Sequence, residues 1–75
     1  MSKKNAIMRI YGALHRLRNS VDQPLFQLRS LFELLIVFRS QGYTTHMFNT
    51  ALRRFAKSTR EPVWNLMREI IIRLF

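Results

Sequence analysis

Apolar residues return every three or four positions along this chain, and no stretch alternates polar with apolar for long. That period belongs to the α-helix, because residues three and four apart share one side of a 3.6-residue turn. Only two Gly and two Pro occur among 75 residues, so breaks are few. They divide the chain into helices expected over about 3–18, 24–40, 45–57 and 59–74. The expected fold is all-α, a small bundle of four helices in which residues 1–75 form one domain.

Each break has a chemical reason. Asp22 or Gln23 followed by Pro24 supplies a cap and a first-turn proline, whose missing N–H costs nothing there. Gly42 suits a left-handed helix end, and Thr44 or Thr45 can cap the helix that follows. Ser58-Thr59-Arg60-Glu61 matches a capping box ahead of Pro62.

The faces follow from the same spacing. The first helix carries a stripe of Ile7, Ile10, Tyr11, Leu14 and Leu17, with His15 at its solvated border. The second is apolar nearly all round: Leu25, Leu28, Phe32, Leu35 and Ile36 cover one side, Leu31, Leu34, Val37 and Phe38 most of the rest. Such a helix is expected at the centre, with Arg29 and Glu33 on its polar strip. In the third, Met47, Phe48, Ala51, Leu52 and Phe55 point inward. The fourth buries Val63, Leu66, Met67, Ile70, Ile71 and Leu74, with Trp64 and Phe75 at one margin and Glu69 and Arg73 paired outside.

A chain this short buries only about 60% of the surface it exposes when unfolded. With no cysteine and two histidines, neither disulfides nor a structural metal is expected to support the fold, which leaves association. Thirteen Lys plus Arg against four Asp plus Glu give a net charge of +9. Ten of those cations are Arg, whose planar fork suits phosphates and carboxylates. The expected partner is therefore acidic: nucleic acid, DNA more than RNA, or an acidic protein surface. Homo-oligomerisation is also expected.

Catalysis is not. Asp22, Glu33, Glu61 and Glu69 are the only acids, and neither His15 nor His46 has an acid to orient it. No phosphate loop, metal-ligand spacing or redox motif occurs, so no enzyme, cofactor or metal is expected. The longest apolar run, Leu34 to Phe38, is far short of the roughly 20 residues a membrane span needs. Arg9 interrupts the stretch a secretory signal would use, and the absence of cysteine fits a reducing compartment, so the expected location is cytoplasmic.

From Arg29 to Lys57 the chain resembles a helix-turn-helix unit: a helix, a tight turn at Gly42-Tyr43-Thr44, then a helix with a polar outer face. It departs from that pattern in its long first helix, in Phe38 where a small residue is usual, and in Gln41 where an apolar one is. The resemblance implies that Thr45, His46, Asn49, Thr50 and Arg53 would enter the major groove, while Arg54, Lys57 and Arg60 would hold phosphates. Phe26, Val37, Trp64 and Ile72 exceed what one small core takes in and are expected at a dimer or partner contact.

The sequence thus supports a small basic nucleic-acid-binding regulator, expected as a dimer that contacts DNA through the third helix and through Arg and Lys on phosphates. The competing reading is a protein-binding module or inhibitor that docks its Arg-rich face on a larger acidic protein.

Overall fold

The computed structural model describes residues 3–74 as α1 (Lys3–Ser20), α2 (Pro24–Ser40), α3 (Thr45–Thr59) and α4 (Pro62–Leu74). Phe75, expected at the margin of the fourth helix, lies outside the described residues. The helices pack into a globule of 32 × 23 × 21 Å.

α3 is the hub. It packs on α1, α4 and α2, whereas α1 and α4 do not pack on each other and so stand diagonally across the bundle. Lys4 lies beside His46 and Thr50, Tyr11 and His15 meet Phe55, and Arg18 reaches Glu61. α1 and α3 therefore run side by side in the same direction. α4 returns antiparallel, with Trp64 against Phe55 and Arg68 against Asn49.

The core follows from these neighbours. Ile10, Leu14, Leu31, Leu35, Phe48, Leu52, Phe55, Trp64 and Ile71 are completely enclosed. Each apolar side chain taken out of water contributes about 1.5–3 kcal/mol, which opposes the entropy of ordering the chain. His15, expected at the solvated border, is instead half-buried, its ring 4.8 Å from Tyr11 and 4.9 Å from Phe55.

α2 is not the central helix its composition implies. It buries Gln27, Leu31 and Leu35 but leaves Leu25, Phe26, Ile36 and Val37 exposed. An apolar circumference carries no directional information, so packing against α1, α3 and α4 decides which strip of α2 faces inward. Gln27 is the buried polar residue of that strip, and its Nε2 donates to the Val21 carbonyl at 2.7 Å, tying the α1–α2 connection to α2.

The buried stripe of α4 is also displaced. Trp64, Met67 and Ile71 are inside, while Leu66 and Leu74, expected to be buried, are exposed. The rotation turns α4 toward α3, where Trp64 packs on Phe55. It corrects the assignment of Trp64 to a partner contact, because the indole is completely enclosed.

The capping box does not form. Arg60 takes a left-handed conformation (φ 57°), so α3 runs on through Ser58 and Thr59. The Glu61 carboxylate instead accepts a hydrogen bond from Arg18 Nε. Arg29 and Glu33 pair as expected, at 3.5 Å, but Glu69 and Arg73 form no ion pair.

Candidate nucleic-acid interface

The outer face of α3 is held by a corner built from local chemistry. Gly42 adopts φ 96°, a conformation a side chain would strain, and the N–H groups of Gly42 and Tyr43 turn back to the carbonyls of Arg39 and Phe38. Thr44 then caps α3, its Oγ1 accepting from Met47 N at 3.1 Å. Tyr43 is buried, and Phe38 packs on it and on Phe48, with centroids 4.8 and 6.4 Å away. The last turn of α2 is thereby fastened to the first turn of α3.

At 100° per residue, Asn49, Arg53, His46, Lys57, Thr50 and Arg54 follow one another round the outer side of α3. His46, Arg53, Arg54 and Lys57 are exposed, and Thr45, Asn49 and Thr50 are half-buried. Arg60 is exposed just beyond the helix end. α3 contains no acidic residue.

Both flanks of this face are basic as well. On one side Lys4 of α1 joins Ile7, His46, Thr50, Arg53 and Arg54 around an open groove of about 570 Å³. On the other, Arg68 of α4 donates from Nη1 to Asn49 Oδ1 across 3.4 Å, while its Nε–H is buried without a partner. Lys4 and Arg68 were not singled out from the sequence. Their place depends on α1 lying parallel to α3 and on α4 returning antiparallel, which spacing along one helix does not reveal.

Two of the expected base readers have polar atoms already engaged. The Thr50 hydroxyl donates to the His46 carbonyl at 2.9 Å, within the helix. Asn49 Oδ1 holds Arg68, although 3.4 Å makes that a long hydrogen bond, easily exchanged. His46 and Arg53 are the expected base readers that stand exposed.

Arg18 and Arg29 have carboxylate partners, whereas among the described residues Lys4, Arg53, Arg54, Lys57 and Arg60 have none. Arg9, Arg16 and Arg73 lack one as well but lie elsewhere on α1 and α4, so what sets this face apart is the crowding of its cations on and beside one helix. Their charges are uncompensated and adjacent, which raises the local positive potential and favours a polyanion. Among the described residues no group of His, Asp or Glu is placed to hold a metal ion, and no helix is long and apolar enough to cross a membrane.

The chain matches no protein-family model, no curated protein and no solved structure.

Proposed function

We propose that this chain is a small nucleic-acid-binding regulator that engages the phosphate backbone of duplex DNA through the outer face of α3. The observation that carries the reading is the run of cations Lys4, Arg53, Arg54, Lys57 and Arg60, without a carboxylate partner among the described residues, on and beside a helix with no acid. Arg60 adds to it. Its left-handed backbone would suit Gly better, so a cation there is held at a conformational cost of about 1 kcal/mol.

A polar, basic helix face is the kind of surface that the wide major groove of B-form DNA admits, whereas the deep, narrow major groove of A-form RNA does not. Arg54, Lys57, Arg60 and Lys4 neutralise phosphates, and His46 and Arg53 lie nearest the base edges. The binding energy comes chiefly from released counterions, so sequence preference is modest and affinity depends steeply on salt.

The test compares two charge reversals of equal size by fluorescence anisotropy with a labelled duplex. Arg53→Glu/Arg54→Glu alters the face; Arg9→Glu/Arg16→Glu alters exposed residues of α1 turned away from α3. The first should weaken binding by at least about tenfold more than the second. Equal losses would mean that net charge alone attracts DNA. Absence of binding by the unaltered chain, with retention of a stoichiometric acidic protein, would favour docking on protein instead.

A further inference from the structure

The outward side of α2 is the largest apolar feature that the proposed interface leaves unused. Leu25 is 75% exposed, Phe26 52%, Ile36 57% and Val37 47%. A solvated helix does not ordinarily present four large apolar residues in one sector. Between them stand Arg29 and Glu33, both exposed and paired to each other.

The order of these six residues is palindromic. Leu25 and Val37, Phe26 and Ile36, and Arg29 and Glu33 lie at equal distances on either side of Leu31. At 100° and 1.5 Å per residue they occupy a sector about 120° wide and about 18 Å long. Laid antiparallel on a second copy about a twofold axis level with Leu31, the face meets itself in register. Leu25 then meets Ile36 of the second copy along one edge, Phe26 meets Val37 along the other, and each Arg29 lies beside a Glu33 near the middle.

We infer that α2 is a self-complementary docking surface whose occupant is a second copy of this chain, joined antiparallel through Leu25, Phe26, Arg29, Glu33, Ile36 and Val37. Two features favour a copy over any other occupant. An isologous contact requires each residue to find its complement within the same patch, and this patch provides that for apolar and charged residues alike. The patch is electrically neutral, and the chain's +9 charge, which would repel a second copy, lies outside it.

The inference does not rest on nucleic-acid binding, and its test contains none. Sedimentation equilibrium of the full chain, without DNA, should give twice the 9.0 kDa chain mass, and association should strengthen with salt as the like net charges are screened. Phe26→Glu/Ile36→Glu should sediment as a monomer with its helical circular dichroism unchanged, since both side chains are exposed. Arg29→Glu alone and Glu33→Arg alone should each weaken association about tenfold by setting like charges opposite each other, and the double exchange Arg29→Glu/Glu33→Arg should restore it. A monomer at every concentration up to the solubility limit overturns the proposal. So does a dimer indifferent to Phe26→Glu/Ile36→Glu, or one in which the double exchange is as weak as the single changes.

Discussion

The indole of Trp64 meets the ring of Phe55 edge-on, with centroids 4.8 Å apart and planes at 88°, and both side chains are completely enclosed. This contact joins α4 to the hub helix. Replacing a buried Trp with Ala costs about 3–5 kcal/mol, which approaches the whole stability of a domain this small. Trp64→Ala should therefore abolish cooperative thermal unfolding followed by circular dichroism. Trp64→Phe keeps an edge for Phe55 and removes an indole N–H that has no partner. It should remain folded with a loss of about 1–2 kcal/mol.

Two hydroxyls that look alike in sequence should behave differently. Thr44 caps α3 by accepting from Met47 N, whereas Ser58 lies inside that helix and caps nothing. Urea unfolding should give a loss of about 1 kcal/mol for Thr44→Ala and less than about 0.5 kcal/mol for Ser58→Ala.

Gln27 is buried and donates to the Val21 carbonyl, between α1 and α2. Removing the donor leaves that carbonyl without its partner, so Gln27→Ala should lower stability by about 1–2 kcal/mol. Amide hydrogen exchange should rise first near residues 21–27. A uniform rise along the chain would show that Gln27 does not act locally.

The proposed face and the proposed dimer combine geometrically. With α1 and α4 on one diagonal of the bundle, α2 and α3 occupy the other. Two copies joined through α2 thus carry their α3 faces at opposite ends. Such a dimer should bring two duplexes together, read as energy transfer between duplexes bearing different dyes. Phe26→Glu/Ile36→Glu should still bind one duplex but produce no transfer.

Much of the architecture is legible in the chain because Pro24, Gly42 and Thr44 mark breaks whose chemistry is local. The faces of α3 are legible, since Met47, Phe48, Ala51, Leu52 and Phe55 lie on one side of it and its polar residues on the other, but its end is not, because Arg60 takes the left-handed turn that the capping box was expected to replace. The faces of α2 are not, because Leu25 and Ile36 have the same hydrophobicity and spacing as Leu31 and Leu35, and only tertiary packing separates exposed from buried. The burial of Trp64 is hidden for a related reason. Its neighbours Leu66, Ile70 and Leu74 draw an equally good stripe, and its contact with Phe55 is invisible along α4 alone. The cations of α3 were visible as a helical face, but Lys4 joined them only through the parallel packing of α1.

The central claim is that unpaired cations on α3 hold phosphates, and salt dependence measures that most directly. Affinity for a mixed-sequence duplex, followed from low to moderate salt, should fall with a slope of about −4 in log K against log salt concentration for each α3 face engaged, as expected for roughly four phosphates neutralised by Lys4, Arg54, Lys57 and Arg60. Arg53→Glu/Arg54→Glu should flatten that slope by about 1 or more. An affinity that does not change with salt, or a slope that the double substitution leaves intact, would contradict the account.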